Sequence, residues 1–355
     1  MHPGLSTYVF FEHRLHSGHL DALLAAGART PGTMTIELFA ARHHFDYTDP
    51  QSIREAASWF RSNPVRAVLH QPIFLADGGR AFRGGDTSQW SRHVAPNLNL
   101  IANEKSSRIA AMDEVKRAIE SAEQVPFADV VLHLGLKDTA WDEAAIDNSF
   151  TAIEHLKAFA SPLGIRLLLE NLQNEVTTPE HLLYILKTGH FDKVGVCLDL
   201  GHLHLSQLPA AAAADPAADP SVVANDSGVA AAIELLGNRI AQVHLHDNHG
   251  PFAPEATHSS STDMKDEHLW PGYAAPQGNT TSGSTTSENT TSGNTSAAST
   301  IDWPVVVPIL ATLPDTTPGI LEPACDRDEP LDSVTRKAST VFSDHARLVG
   351  QLRLI

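Results

Sequence analysis

Ile165-Arg166-Leu167-Leu168-Leu169-Glu170-Asn171 and Val194-Gly195-Val196-Cys197-Leu198-Asp199-Leu200-Gly201-His202 decide the fold. Each begins as a short, nearly unbroken apolar run and stops at a carboxylate. A strand with one wet face alternates apolar and polar residues. A continuous run signals a strand buried on both faces, as in a parallel sheet covered by helices. A carboxylate at the end of such a run emerges at the rim of the sheet.

Working outward, the same kind of run predicts strands at 7–11, 35–39, 67–70, 130–134, 166–170, 194–199, 240–246 and 319–322. Amphipathic stretches between them predict helices at 19–26, 51–61, 104–123, 142–160, 179–187, 228–237, 303–313 and 331–348. Strands alternating with helices imply βαβ units. Eight repeats in 355 residues fit a closed (βα)8 TIM barrel in a single domain. An open doubly wound sheet would carry a glycine-rich phosphate turn after its first strand, and none follows Phe11. Three polar stretches interrupt the rhythm after predicted strands: 78–99, the Ala/Asp/Pro-rich 209–227 and the Thr/Ser/Gly/Asn-rich 277–299. The last two read as low-complexity insertions on the C-terminal rim, too polar to join a core.

The last residues of six consecutive predicted strands are His70, His133, Glu170, Asp199 with His202, His244 with His246, and Glu322. In this fold the C-terminal rim carries the active site. One rim His or Glu is an ordinary hydrogen-bonded residue; six strands ending this way call for a common cause. Nitrogen and carboxylate donors together suit Mn²⁺, Zn²⁺ or Co²⁺, and an oxygen-rich subset suits Mg²⁺.

Leu168-Leu169-Glu170-Asn171, Cys197-Leu198-Asp199-Leu200-Gly201-His202, Val243-His244-Leu245-His246-Asp247-Asn248, Asp266-Glu267-His268-Leu269-Trp270-Pro271-Gly272, Ile301-Asp302-Trp303 and Leu321-Glu322-Pro323 together resemble the motifs of the xylose-isomerase-like superfamily. That group includes sugar isomerases and epimerases, hydroxypyruvate isomerases, inosose dehydratases and endonuclease IV. The resemblance implies one divalent ion held by Glu170, Asp199, His244 and Glu322. It implies that Glu170 and Glu322 also move a substrate proton, and that His202 contacts a substrate oxygen. His70, His133, His246, Asp266 and His268 are further candidates for metal or substrate contact. All nine residue types of the three-zinc endonuclease IV site are present, but the surrounding words differ: Leu200-Gly201 and Asn171-Leu172-Gln173 depart from its pattern. The reading favoured at this level is a sugar, sugar phosphate or polyol isomerase or epimerase working by proton transfer next to a carbonyl. The alternative is an endonuclease IV-like multinuclear zinc phosphodiesterase.

Composition constrains partners. The net charge of −17 argues against a general basic surface for nucleic acid or anionic membrane; the resemblance implies a small carbohydrate as the partner. The basic residues Arg80, Arg83, Arg92 and Lys137 are scattered. Two cysteines make no disulfide framework, no run reaches the length of a membrane span, and the first residues lack a leader, so a cytoplasmic enzyme is expected. Cys197 reads as core, Cys325 as a rim residue without assigned chemistry, and Trp270 and Trp303 as packing residues.

Overall fold

Eight parallel strands pair in chain order and close, β1 onto β8, into a barrel. They are β1 (His2–Ser6), β2 (Thr35–Phe39), β3 (Arg66–His70), β4 (Phe127–His133), β5 (Arg166–Glu170), β6 (Gly195–Asp199), β7 (Ile240–Leu245) and β8 (Pro318–Leu321). The computed structural model describes residues 1–27, 34–75, 96–214, 226–248, 266–272, 301–326 and 328–352. Among these, helices run Ser17–Gly27, Pro50–Ser62, Lys105–Glu120, Glu143–Ala160, Pro179–Thr188, Leu200–Ala214, Asp226–Leu236, Trp303–Leu310 and Leu331–Leu352. None is long and apolar enough to cross a membrane.

Local chemistry sets the helix starts. Asp49 accepts a hydrogen bond from the Gln51 amide and Pro50 follows as the first helical residue. Thr178 and Pro179 repeat the device, with the Thr hydroxyl capping His181 N. Such caps satisfy amide donors that have no partner within the helix, and proline loses nothing there. The helix Pro50–Ser62 then turns Ile53, Ala56, Ala57 and Phe60 into the hydrophobic core. That is the 3–4 residue spacing of one buried face.

The first strand differs from expectation. Residues 7–11 do not form it; Thr7–Phe10 is a 3-10 turn capped by the Ser6 hydroxyl, and β1 lies just before it. Its short sequence, His2-Pro3-Gly4-Leu5-Ser6, carries little strand signal. Gly4 is there for close packing: a Cβ would stand 2.2 Å from Ile320 Cδ1 of β8. The helix after β6 also differs. It starts directly at Leu200, so residues 209–214 of the expected 209–227 insertion are helical, as are 226 and 227. Residues 215–225, the 277–299 insertion and residues 76–95 lie outside the described residues.

Inward-facing side chains form layers. Val68, Val131, Leu168 and Cys197 make a separate buried cluster inside the barrel. Each lies two residues before His70, His133, Glu170 or Asp199. Side chains on a strand repeat every two residues, so those four polar groups stand one layer higher, above this apolar cluster.

Candidate metal centre

Nine of the polar residues singled out in the sequence meet at the C-terminal rim in three adjoining groups, and His246 joins the third. Within each group one donor atom per residue lies within 4.8 Å of every other.

The first group is His70, His133 and Glu170, from the ends of β3, β4 and β5. His133 Nε2 is 3.0 Å from Glu170 Oε2 and 3.1 Å from His70 Nε2, which is itself 3.4 Å from that oxygen. His70 Nδ1 donates to the Gln71 carbonyl at 2.8 Å, which fixes the ring with Nε2 facing the group. Phe39 stacks on the His70 ring at 4.2 Å.

The second group is Glu170, Asp199, His244 and Glu322. His244 Nδ1 stands 3.3 Å from Glu170 Oε1, 3.5 Å from Asp199 Oδ2 and 3.3 Å from Glu322 Oε2. His244 Nδ1 and Glu170 Oε1 are buried and without a hydrogen-bond partner. Such orphaned donor atoms are expected where an ion belongs. Glu170 therefore offers Oε2 to the first group and Oε1 to the second.

The third group is His202, His246, Asp266 and His268. Asp266 Oδ2 is 2.8 Å from His202 Nε2 and 3.1 Å from His268 Nε2. The other nitrogen of each ring is tied to backbone: His202 Nδ1 donates to the Asn171 carbonyl at 3.0 Å and His268 Nδ1 to the Glu322 carbonyl at 2.8 Å. His246 stacks on His268 at 3.9 Å and places Nε2 3.0 Å from both Asp199 oxygens, joining the second group to the third. Gly201 makes room for it, since a Cβ there would stand 2.1 Å from His246 Cε1.

Backbone arrangement delivers these groups. Asp199 ends β6 and caps the following helix, accepting from His202 N at 2.7 Å, which turns His202 back over the rim. The Asn171 amide bonds Asp199 O at 2.8 Å and Asp199 N at 2.7 Å, locking the ends of β5 and β6 together. Asp266 and His268 lie on a short strip whose Leu269 pairs in both directions with Asp247. Trp303, fully buried, donates its indole N–H to Asp247 Oδ2 at 2.9 Å. Cys197 is core, as read from the sequence. Lys137 belongs to the described residues; Arg80, Arg83 and Arg92 lie outside them.

The electrostatics follow from packing charges closely at a largely buried rim. Burial alone would raise the Glu170 carboxyl, but the His244 and His133 rings outweigh it and hold it well below the usual range. Burial also opposes ionisation of Glu322, yet His244 and its neighbours bring it down to about 2. Burial would lower His268; Asp266 reverses this and lifts it to about 9. The acids are thus held as anions.

Two buried residues escaped the sequence reading. Glu37 on β2 and Gln242 on β7 lie beside His244, on the side away from the rim carboxylates. A charged residue inside the otherwise apolar run Thr35–Phe39 was the available signal. Ser6 is a third, its hydroxyl 3.4 Å from Glu322 Oε1.

Comparison with known proteins agrees with the architecture. The chain is 29% identical over 227 residues to the Uncharacterized protein MJ1311 of Methanocaldococcus jannaschii, covering 59% of this chain and 64% of that protein. It is 25% identical over 187 residues to a Probable endonuclease 4 of Haloquadratum walsbyi, covering 52% of this chain and 60% of that protein. The match thus spans less than two thirds of either curated relative. Among solved structures, the IOLI protein with a binding zinc atom superposes with a TM-score of 0.63 at 15% identity, covering 99% of both chains. A D-tagatose 3-epimerase-like protein superposes with a TM-score of 0.57 at 20% identity, also over 99% of both. These likenesses establish the fold. The family described as Xylose isomerase-like TIM barrel matches residues 24–279, and the chain belongs to that family.

Proposed function

We propose that the chain is a divalent-metal-dependent enzyme that hydrolyses a phosphate ester of a sugar, with three ions at the barrel mouth. His70, His133 and Glu170 would hold one. Glu170, Asp199, His244 and Glu322 would hold the second, and His202, Asp266 and His268 the third. The observation that carries this reading is the convergence of ring nitrogens and carboxylate oxygens into three adjoining groups, two of them joined through Glu170. A sugar isomerase needs an ion beside one base. In that reading His70 and His133 only line the substrate pocket, whereas the hydrolase reading uses their Nε2 atoms, which meet beside Glu170 Oε2, to hold an ion.

Bound divalent ions would supply Lewis-acid polarisation of a phosphoryl oxygen and activation of water. The chain's own part is to hold the donor atoms rigid above the apolar cluster and keep the carboxylates ionised. The 25% identity to a protein named Probable endonuclease 4 supports phosphoester chemistry. The net charge of −17 favours a small sugar phosphate over a long polyanion.

The isomerase or epimerase reading stays as the second. It is favoured by the completeness of the His244 group on its own, with Glu170 and Glu322 oxygens each 3.3 Å from His244 Nδ1. There, one glutamate would take a carbon-bound proton beside a carbonyl and the other return it.

Metal content per chain, with activity on parallel substrates, separates the two. Three equivalents of metal, with phosphate release from sugar phosphates or nicking of an abasic-site duplex, support the hydrolase. One equivalent, with deuterium entering a keto-sugar in D2O and no ester cleaved, overturns it in favour of the isomerase.

A further inference from the structure

Glu37 is the third of five residues in β2 and is completely buried, as are all its neighbours on the strand. A carboxylate removed from water persists only where donors meet it. The donors come from the far side of the barrel. Gln242 Nε2 lies 2.6 Å from Glu37 Oε2, and His244 Nε2 lies 3.1 Å from the same oxygen. β2 and β7 are not neighbours in the sheet, so this contact crosses the barrel interior. Gln242 Nε2 also lies 2.9 Å from His244 Nε2, so the two nitrogens crowd one carboxylate oxygen; Glu37 can only accept, and His244 Nε2 meets it as a donor.

A hydrogen on His244 Nε2 leaves Nδ1 with a bare lone pair. Nδ1 is the atom that faces the three carboxylates of the second group. His70, His202 and His268 are built the opposite way, with Nδ1 tied to a neutral backbone carbonyl and Nε2 facing the mouth. His244 alone among these four is backed by a carboxylate.

We infer that Glu37 is a positioning residue, which holds His244 in its Nε2–H tautomer and so delivers Nδ1 to the ion of the second group. The inference rests on the metal reading proposed above. A carboxylate behind a ligating imidazole fixes its orientation and makes the ring a stronger donor. The ion of this group would then be surrounded by three carboxylates and a ring backed by a fourth, making it the most tightly held of the three.

Glu37→Gln and Glu37→Leu test the assignment in the full-length protein. Glutamine keeps the size and one acceptor oxygen but loses the charge; leucine removes both. Zn²⁺ affinity is measured by competition with a chelator, and ring protonation in the Zn²⁺-loaded protein by nitrogen-15 NMR of the histidines. The expected result is one ion weakened by about 10- to 100-fold in the leucine variant and less in the glutamine variant. The other ions should keep their wild-type affinity. In the wild type, His244 should show a protonated Nε2. Should the leucine variant fail to fold, the glutamine variant carries the test. Wild-type affinity for every ion in folded variants, or a metal-bound Nε2 on His244, overturns this inference alone. A wild-type protein that binds no ion overturns the metal reading and the inference with it.

Discussion

Replacing Glu170 by glutamine should remove two ions and leave one. Glu170 Oε2 faces His70 and His133 at 3.4 and 3.0 Å, and Oε1 faces His244 Nδ1 at 3.3 Å. One side chain thus provides one of three donors to the first group and one of four to the second, and none to the Asp266 group. An amide keeps the shape, but its nitrogen cannot ligate and its charge is gone. The stability cost follows from linkage: an ion present at 100 times its dissociation constant adds about 2.7 kcal/mol to the folded state. Two such ions add about 5 kcal/mol, or roughly 10–20 °C in Tm at the ~2–4 °C per kcal/mol of large domains. Metal content by elemental analysis gives the count, and thermal scans with and without added Zn²⁺ give the linkage. The scans without metal report the direct cost of losing the buried carboxylate. The gain on adding metal should be much smaller in Glu170→Gln than in the wild type. Asp266→Ala should lose a single ion. A Glu170→Gln protein that keeps three ions, or an Asp266→Ala protein that loses two, would refute the reasoning.

Three further outcomes are expected. His44 is fully buried, and burial, only partly offset by the His13 carbonyl, pushes its ring down to about 3 from 6.5. The unfolded chain therefore binds this proton first, so the stability it contributes is complete above pH 6.5 and is lost as pH falls toward 3. Between pH 7 and 5.5 a His44→Gln variant should lose about 1 kcal/mol less than the wild type in urea titrations, and equal losses would contradict this. Trp303→Phe removes the indole bond to buried Asp247 and should cost about 1–3 kcal/mol by chemical denaturation; a change near zero would mean that Asp247 finds another donor. Replacing residues 277–299 by a short loop should leave thermal unfolding cooperative, because loop closure depends weakly on length; a broadened transition would show that the tract packs.

Legibility followed burial. β5 and β6 could be read because both of their faces are apolar, so each run stands out and its terminal carboxylate falls at the rim. The rim side chains inherited that clarity: the strand-end residues from His70 to Glu322 do meet. β1 was misplaced because Thr7-Tyr8-Val9-Phe10-Phe11 is more apolar than His2-Pro3-Gly4-Leu5-Ser6, and apolarity cannot tell a packed 3-10 turn from a strand. No helix is expected from Leu200 in the sequence, because it begins without a break after β6 and its end falls in the Ala-rich stretch 209–227. The grouping of ten residues into three clusters was not legible, since spacing along a chain does not say which oxygen of Glu170 turns to which neighbour. Glu37 was overlooked for a related reason: its partners lie 205 and 207 residues away, across the barrel.

Among the described residues, the strip carrying Asp266 and His268 is held by bonds outside the barrel strands, among them Glu267 N to Asn248 Oδ1 at 2.5 Å and Asp266 Oδ2 to His202 Nε2 at 2.8 Å. Asp247 and Leu269 exchange two, at 2.8 and 2.7 Å, Ala324 N reaches the His268 carbonyl at 2.6 Å, and the His268 ring holds the Glu322 carbonyl. None of these belongs to the barrel ladder. The strip can therefore detach by a local opening that leaves all eight strands paired, at a fraction of the free energy of global unfolding. In evolutionary terms it is a cassette. On the three-ion reading, rewriting a few residues between β7 and β8 would delete the third ion site and leave the other two, so such a barrel could change its metal count while all eight strands stay paired.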